Sequence, residues 1–473
     1  MKTYPVLLNG ELTISQDAYP VTNPANGEPV ARMSRVARPA VARAIQDAHA
    51  AFLVWRQLPG KKRGEWLHQI AAELERRGEE IARLITLENG KPLAQSQGEV
   101  AMSLDHLRWF AEEARRAYGR LIPPQVEGKR HLVVKTPIGV VGAISPWNFP
   151  LVLAVRKIAP ALAAGCPVIL KPASRTPLCS AAFAECVAAV KLPKGVFQLV
   201  AGSASDIGQE FLDNPLCRKI TFTGSTEVGQ QLIAGAAKLV KPLSLELGGH
   251  APVLVFEDAD LAGAVEGTMI AKFRNSGQSC IAANRIYVQR SLYAPFLKSF
   301  VEKVKALKVG DGLEPQSQIG ALIDEAAIAK ATAHVEDAVR GGARLLCGGK
   351  RLDRPGFFFE ATVLADVPKT GLCLREETFA PIAPVCAFDS EAEAIEQANC
   401  SPYGLSAYAF TRDLSRMFRL SEQLEAGMIG LNDGVPTTSQ APFGGVKQSG
   451  WGRELGNEGL DAFLETKHVS IGI

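Results

Sequence analysis

The sequence predicts an α/β protein with two doubly wound α/β domains and a small β oligomerisation arm. Short apolar runs alternate with helical segments from residue 140, and again from residue 251 to about residue 431. Two further β-prone segments belong to neither region. Strands that alternate with helices are typical of parallel βαβ units, and 473 residues exceed what one small core needs.

The first region is predicted to begin with helices. After a polar N-terminal arm, apolar residues recur at helical spacing from Val41 to Trp55 and from Val100 to Ala111, so the first ~120 residues are expected to be mostly amphipathic helices. Four apolar runs follow, at 140–144, 167–170, 196–200 and 220–222, and are predicted to be strands. Together they predict the first doubly wound sheet.

The second region contains strand-like segments at 252–255, 285–289 and 407–411, which predict a second α/β domain. Residues 130–135 (RHLVVK) and 467–471 (KHVSI) are β-prone but fit neither sheet in sequence order. Exposed edge strands need partners, so one interpretation is an arm that docks on another subunit. The alternative is two loose surface strands.

Composition excludes several functional classes. The formal net charge is +3 with basic residues spread along the chain, which argues against nucleic acid or an anionic membrane as partner. Nine cysteines without a C-x-x-C pair or zinc-finger histidine spacing indicate reduced thiols, no metal site and a cytoplasmic location. No secretory signal is recognisable, and the longest uncharged stretch is broken by Pro146, Asn148 and Pro150, which disfavours a membrane span.

Cys280 is the candidate nucleophile. It ends the segment FRNSGQSC, a polar turn that contains Gly277, and it has no nearby disulfide or metal partner in sequence. The competing interpretation is a buried free thiol. Glu246, between Leu245 and Leu247, is the candidate general base, because burial would raise its pKa. A solvated or ion-paired carboxylate is its alternative.

Three further positions are candidate ligand contacts. Asn148 lies in a loop between two prolines, where a fixed amide can hold an oxyanion or simply stabilise a turn. Gly224 follows a predicted strand and precedes a helix whose N-terminus can bind phosphate, although Ser225 or Thr226 can equally serve as a plain helix cap there. Lys171 ends a strand at the sheet edge where dinucleotides bind.

Several motifs in order resemble the aldehyde dehydrogenase superfamily over nearly the whole chain. They are P-W-N-F-P, K-P-A, F-T-G-S-T-x-x-G, L-E-L-G-G, F-x-N-x-G-Q-x-C, E-T-F at 377–379 and P-F-G-G-V-K-Q-S-G-W-G-R-E at 442–454. The resemblance implies a nicotinamide cofactor domain (1–120 and 138–248) and a catalytic domain (249–432). It also implies bridging segments (121–137 and 433–473) that make a homodimer or homotetramer.

The resemblance also implies residue roles. Cys280 attacks the aldehyde carbon, the Asn148 amide and the Cys280 N–H hold the oxyanion, hydride passes to the nicotinamide, and Glu246 activates the water that hydrolyses the thioester. Lys171 binds the adenosine ribose or its phosphate. The implied cofactor-binding set is Pro146, Trp147, Lys171, Ser174, Arg175, Gly224, Ser225, Gly229, Leu247, Glu377 and Phe379.

Cofactor choice depends on the residues after K-P-A. NAD-specific members often carry a glutamate where this chain has Ser174, and Arg175 follows it as a possible phosphate partner. We therefore expect NADP to be used at least as readily as NAD. Ala380 stands where the superfamily usually has glycine, which makes the role of Glu377 less secure.

Within the superfamily the chain most resembles succinate-semialdehyde dehydrogenases. The resemblance implies that Arg156, Arg274 and Thr437 bind the distal carboxylate of a small aldehyde, because guanidinium groups suit forked carboxylate binding. Glutarate semialdehyde, a sulfonated aldehyde, and uncharged or amino aldehydes are the alternatives. A coenzyme-A-acylating enzyme or a non-enzymatic relative fits less well, and Ala282 removes the second cysteine of a known redox switch.

Overall fold

The computed structural model describes all 473 residues, Met1 to Ile473, and its strands form two large sheets and three small ones. The helices are α1 Arg38–Trp55, α2 Gly60–Arg76, α3 Gly78–Asn89, α4 Leu93–Glu113, α5 Val152–Ala164, α6 Leu178–Ala189, α7 Ala204–Asp213, α8 Thr226–Ala236, α9 Leu261–Phe273, α10 Arg290–Ala306, α11 Glu325–Arg340, α12 Leu372–Arg375, α13 Glu391–Asn399, α14 Leu414–Gln423 and α15 Gly456–Asp461.

The strands are short, as is usual for parallel sheets covered by helices on both faces. They are β1 Thr3–Tyr4, β2 Val6–Leu8, β3 Glu11–Thr13, β4 Ala18–Thr22, β5 Pro29–Ser34, β6 Arg120–Ile122, β7 Lys129–Pro137, β8 Val140–Ile144, β9 Val168–Lys171, β10 Phe197–Leu199, β11 Cys217–Thr223, β12 Leu243–Glu246, β13 Ala251–Val255, β14 Ala283–Gln289, β15 Arg344–Cys347, β16 Thr362–Ala365, β17 Ile382–Phe388, β18 Tyr403–Gly404, β19 Ser406–Phe410, β20 Met428–Leu431, β21 Val446–Lys447, β22 Gly450–Trp451 and β23 Leu464–Gly472.

The first large sheet has the order β22-β12-β11-β8-β9-β10-β2-β3. Its five central strands run parallel, and the chain order reverses between β8 and β11. Thr223 of β11 pairs with Glu246 of β12, and Ile144 of β8 pairs with Lys171 of β9, so these strands end at one edge. Ligands of doubly wound sheets bind at such a switch point, outside the carboxyl ends of the strands.

The second large sheet has the order β15-β16-β17-β14-β13-β19-β20 and is parallel except for β15. Its strands are almost entirely buried, as expected for a sheet with helices on both faces. The turn that carries Cys280 leads from α9 into β14. The prediction of two doubly wound sheets is confirmed.

The two β-prone segments outside the large sheets pair with each other. β7 and β23 are antiparallel over nine residues, from Leu464 opposite Pro137 to Gly472 opposite Lys129, and β6 adds a third strand. The small sheet β23-β7-β6 is called the arm below. The interpretation of two loose surface strands is wrong, because each supplies the hydrogen-bonding edge of the other.

The N-terminal segment differs from the predicted polar arm. β1, β5 and β4 form a small sheet of their own, while β2 and β3 extend the first large sheet at its edge. Strands of two to six residues are too short to show a clear alternation of apolar and polar side chains. β22 likewise joins the first sheet beside β12.

One helix is completely buried. All thirteen residues of α5 are inaccessible, including the charged pair Arg156 and Lys157. A buried cation is stable only with anionic or hydrogen-bonding partners, so α5 indicates a polar site inside the protein. No helix in the structure combines the length and the apolar character needed to cross a membrane.

Candidate active site and dinucleotide cleft

A cleft of about 1010 Å³ opens at the carboxyl edge of the first sheet. Its other side is closed by residues that precede β14, that lie in and just before α11, and that follow α12. Twelve of the predicted site residues line it, namely Pro146, Trp147, Asn148, Lys171, Ser174, Arg175, Gly224, Ser225, Leu247, Cys280, Glu377 and Phe379. The other five, Gly229, Glu246, Arg156, Arg274 and Thr437, do not.

The turn before Cys280 has a strained backbone. Asn275, Ser276 and Gly277 have successive φ values of 52°, 56° and 74°, in the left-handed region that L-residues avoid. Ser276 is held because its Oγ accepts from Gly320 N at 3.0 Å, and Asn275 Nδ2 donates to Asn148 O at 2.8 Å. A side chain at Gly277 would collide with the carbonyl of Ala380. The surroundings therefore impose a single conformation on the turn.

Gly249 brings the candidate base and nucleophile segments together. A Cβ at this position would collide with the carbonyl oxygen of Cys280. The second glycine of L-E-L-G-G therefore allows the chain that leaves β12 to touch the nucleophile turn. This contact is the structural reason for a glycine at position 249.

Cys280 itself is partly exposed at the cleft surface. Burial of the sulfur, together with the carboxylates of Glu377 and Glu246 and against the opposing effect of Arg156, raises the pKa of its thiol to about 12. The resting side chain is therefore a neutral thiol at pH 7. Its proton must leave before or during attack on a substrate.

Asn148 is buried next to the nucleophile turn. Its Nδ2 donates to Gln278 O at 3.1 Å, which leaves its second N–H free for another acceptor. Its backbone oxygen accepts from Lys91 Nζ at 2.7 Å, and Lys91 also pairs with the fully buried Glu99 at 2.6 Å. Glu99 in turn accepts from Leu151 N at 2.9 Å. The amide is thus supported by a buried ionic network.

Glu246 ends β12 just behind the cleft wall. Its Oε2 is buried and has no hydrogen-bond partner. Burial raises the pKa of this carboxyl well above its ordinary value, the neighbouring Glu454 raises it further, and Lys157 lowers it. Lys157 Nζ donates to Glu454 Oε1 and Thr223 Oγ1, each at 2.6 Å. A carboxyl with a raised pKa is suited to the role of a general base.

One wall of the cleft consists of strand ends and one helix N-terminus. Lys171 makes no ion pair, and burial alone lowers the pKa of its ammonium group to about 8. Ser225 caps α8, where its Oγ accepts from Val228 N at 3.4 Å. Arg175 Nη2 lies 2.8 Å from Asp324 Oδ2 on the opposite wall. Gly229 instead lies within α8 and packs against Leu247, so it shapes the wall indirectly.

The other end of the cleft is organised around residues 377–379. Glu377 Oε1 accepts from Gly249 N at 3.0 Å, and burial raises the pKa of its carboxyl to about 7. Phe379, at φ 51°, meets the Trp147 ring edge to face at 5.5 Å between centroids. Ala380 is buried, and its carbonyl packs against Gly277. The residue that departs from the family pattern therefore contributes to the nucleophile turn.

The three predicted substrate residues lie outside the dinucleotide cleft. Arg156 stacks over the Phe443 ring at 4.4 Å and its Nε is buried without a partner. Arg274 lies over the Phe149 ring at 5.3 Å. The electrostatic neighbours of Arg156 include Glu454, Cys280 and Arg274. Thr437 Oγ1 is also buried and unpaired. Buried polar atoms without partners indicate space for a polar ligand or water.

Sequence reasoning missed most of the buried ionic network. Glu454 was visible within the G-R-E segment, but Glu99 sits in a helical pattern that resembles an ordinary solvent-exposed charge, and Lys157 lies within the apolar run of α5. Lys272 was missed as well. Its Nζ donates to Asn284 Oδ1 at 2.8 Å and Thr378 Oγ1 at 3.1 Å, which anchors the segment containing Glu377. Burial lowers its pKa to about 7. The sequence signal that could have revealed these buried charges was a charged residue within an otherwise apolar run, as in α5.

No group of three or more histidine, cysteine or carboxylate side chains is arranged to hold a metal ion. All nine cysteines are free thiols.

Comparison with known proteins agrees with this geometry. The model of the aldehyde dehydrogenase family matches residues 13–469. The succinate-semialdehyde dehydrogenase [NADP(+)] of Escherichia coli is 47% identical over 99% of this chain and 97% of its own length. A glutarate-semialdehyde dehydrogenase of Pseudomonas aeruginosa is 48% identical over 96% and 94%.

The crystal structure of an Escherichia coli NADP-dependent enzyme superimposes with a TM-score of 0.98 at 47% identity, and the match covers 100% of this chain and 98% of that chain. The predicted fold and the predicted resemblance are both confirmed. The full-length family match, the doubly wound first sheet and the strained nucleophile turn agree with one another. The chain therefore belongs to the aldehyde dehydrogenase family.

Proposed function

We propose that the protein oxidises a short aldehyde with an anionic far end to the carboxylic acid, with succinate semialdehyde as the first candidate and NAD(P) as the oxidant. The observation that carries this proposal is Arg156, a fully buried cation with an unpaired Nε and with Cys280 and Arg274 among its electrostatic neighbours. A buried guanidinium beside the nucleophile favours a substrate that brings its own negative charge.

The cleft residues fit a nicotinamide dinucleotide. The volume of the cleft lies at the upper end of the range for ordinary ligand pockets, roughly 300–1,000 Å³. Lys171 offers an unpaired cation, and α8 directs its N-terminus at the cleft. Glu377 and Phe379 line the end next to Cys280. A bound nicotinamide ring supplies the hydride acceptor for the oxidation.

Attack begins at Cys280. Its Sγ forms a bond to the aldehyde carbon, the thiol proton passes to a nearby base, and the carbonyl electrons move onto oxygen. Solvent water accepts this proton, because Glu246 acts only in the hydrolysis step that follows. The free N–H of the Asn148 amide and the Cys280 backbone N–H hold the oxyanion. Loss of hydride then leaves a thioester on Cys280.

Hydrolysis regenerates the enzyme. Glu246, once ionised, takes a proton from a water molecule, which attacks the thioester carbon as the carbon–sulfur bond breaks and Cys280 leaves as a thiolate. Glu454 and Lys157 position and tune this carboxylate, since the first raises its pKa and the second lowers it. A thiol acceptor such as coenzyme A would make this buried base unnecessary.

The chain uses NADP at least as readily as NAD. Ser174 leaves room and no negative charge where a ribose phosphate would lie, and Arg175 follows it on the same loop. The Escherichia coli relative of 47% identity carries NADP in its name, which agrees with this choice. Lys171 serves both cofactors, because it lies at the strand end rather than on the loop.

The arm mediates assembly into a homodimer or homotetramer. β6 is wholly exposed, and the apolar side chains of Leu121, Val126 and Ile471 on or beside the arm face solvent in the single chain. An exposed sheet with apolar side chains and open edges is suited to pairing with another chain. Residues 121–137 and 433–473 act as the bridging segments, with residues 1–120 and 138–248 as the cofactor domain and 249–432 as the catalytic domain.

The nine free thiols fit a location in the cytoplasm, where thiols stay reduced.

A substrate panel tests the proposal. Succinate semialdehyde, glutarate semialdehyde, a sulfonated three-carbon aldehyde, an amino aldehyde and propanal are each assayed with NADP and NAD by the absorbance of reduced nicotinamide. The anionic aldehydes should give kcat/KM values at least about tenfold above propanal, as expected for one charge-assisted hydrogen bond. Equal values for propanal would refute an anion-selective site.

Glutarate semialdehyde is the second candidate. Pro436 precedes Thr437 in the loop that we assign to the distal carboxylate, and a relative of 48% identity is named for that substrate. A longer aldehyde would need its carboxylate one methylene further from Cys280. A kcat/KM ratio between the two semialdehydes decides between them.

A further inference from the structure

We propose that Asp324 sets cofactor selectivity, because it competes with a phosphate on the adenosine ribose for the guanidinium of Arg175. The inference rests on the proposed function, since it takes the cleft to be the dinucleotide site. It adds a residue on the opposite wall that weakens the NADP preference created by Ser174 and Arg175.

The ion pair spans the cleft. Arg175 lies on the loop after β9, and Asp324 lies directly before α11 on the other wall, with Nη2 and Oδ2 2.8 Å apart. Both residues line the same cleft. The Arg175 side chain is 57% exposed and that of Asp324 is 20% exposed, so the pair sits at the open end. A ligand at this end meets a cation that already has an anionic partner.

Asp324 is fixed more firmly than Arg175. Its Oδ1 accepts from Ala327 N at 2.9 Å and caps α11, so the helix holds the carboxylate in place. Arg175 makes no second side-chain hydrogen bond and sits on an exposed loop. The guanidinium is therefore the partner that moves, and the carboxylate remains as a fixed negative charge beside any phosphate that replaces it.

Charge explains the expected selectivity. A phosphate on the ribose has to draw Arg175 from Asp324 and then lie near a carboxylate of the same sign, whereas a ribose hydroxyl does neither. Lys171, which also lines the cleft, has no acidic partner and does not depend on this exchange. Neutralising Asp324 should thus favour phosphorylated ribose without changing general nucleotide binding.

The size of the change in cofactor selectivity follows from the solvent exposure of the ion pair. Exposed ion pairs contribute little, so we expect a change in selectivity of about two- to fivefold. Salt at high concentration should reduce it, because the charges are open to solvent.

Fragment binding measures this without turnover. Adenosine 2′,5′-bisphosphate and adenosine 5′-monophosphate differ only in the ribose phosphate, and their Kd values are determined by calorimetry on the full-length protein. The variants are Asp324→Asn, which keeps an oxygen to cap α11, and Arg175→Ala. Asp260→Asn is the matched control, because Asp260 caps α9, lies 3.5 Å from Arg412 and is outside the cleft.

Asp324→Asn should increase the preference for the bisphosphate two- to fivefold, Arg175→Ala should reduce it, and Asp260→Asn should leave it unchanged. The same order should appear in the ratio of kcat/KM for NADP and NAD. An unchanged or lower preference in Asp324→Asn, in an enzyme that oxidises aldehydes, overturns the inference but leaves the proposed function intact. A wild-type protein that binds neither fragment and reduces neither cofactor overturns both.

Discussion

The two ends of the cleft are built in different ways. Around Cys280 most polar side chains are buried, from the strained turn at Asn275 and Ser276 to the ion pair of Lys91 and Glu99. Around Arg175 the side chains are exposed and one ion pair joins the walls. Chemistry that needs fixed geometry lies where the packing determines it, and cofactor choice lies where a substitution costs little stability.

Removal of the nucleophile is the largest test of this contrast. Cys280→Ala should lower kcat by at least about a thousandfold, because the covalent route is lost. Fragment binding at the open end should stay within twofold of wild type, as measured by calorimetry. Cys400→Ala, at an exposed cysteine, is the control for unspecific effects. A large loss of fragment affinity in Cys280→Ala would contradict the independence of the two ends.

The hydrolytic base comes next in expected size. Glu246→Gln should lower steady-state kcat by about a hundred- to ten-thousandfold while the first turnover still occurs. A rapid-mixing experiment should therefore show a burst of reduced nicotinamide close to one equivalent per active site. Mass spectrometry of the protein should detect the acyl group on Cys280. Absence of both burst and acyl adduct would assign Glu246 to the attack step instead.

Substrate recognition should be affected less. Arg274→Ala should raise KM for succinate semialdehyde about ten- to hundredfold, the value of one hydrogen bond to a charged group. KM for propanal should change little, and Arg274→Lys should recover part of the loss because it restores the charge. If KM rises equally for both aldehydes, Arg274 supports the nucleophile turn rather than substrate binding.

The smallest effect concerns pH. Glu246 has to be ionised to activate water, so hydrolysis falls as the pH drops through its pKa, which burial and Glu454 both raise. Glu454→Gln removes one of these contributions and should move the acidic limb of the kcat profile to lower pH. Glu458→Gln, an exposed acid on α15, is the control. A shift of that limb to higher pH would contradict the assignment.

The sequence was informative where a pattern is local. β8 and β13 are buried strands of continuous apolar residues, and they were predicted within a few positions, as were the apolar parts of β11 and β14. The N-terminal strands β1 to β5 were not, because they have only two to six residues, too few to show a period, and β2 pairs with the distant β10. Pairing of that kind is decided by tertiary context.

The site divides in the same way. Residues in glycine- or proline-marked segments, such as Asn148, Gly224 and Cys280, were selected from sequence and line the cleft, although their roles stay predictions. Lys157 and Lys272 were missed, because only the fold shows that these lysines are fully buried. Asp324 likewise gains its meaning from the distance to Arg175, which no spacing in sequence reveals.

The buried helix α5 limits how substrate preference can be redesigned. Arg156 lowers the pKa of Glu246, and Lys157, the next residue, donates to Glu454. An exchange of Arg156 for a neutral side chain would therefore change the pH range of hydrolysis together with the substrate. Arg274 is not among the groups that shift the pKa of Glu246, and Glu246 is not among those that shift the pKa of Arg274. A library that aims at new aldehydes should vary Arg274 and the loop of Thr437 first, and leave α5 unchanged.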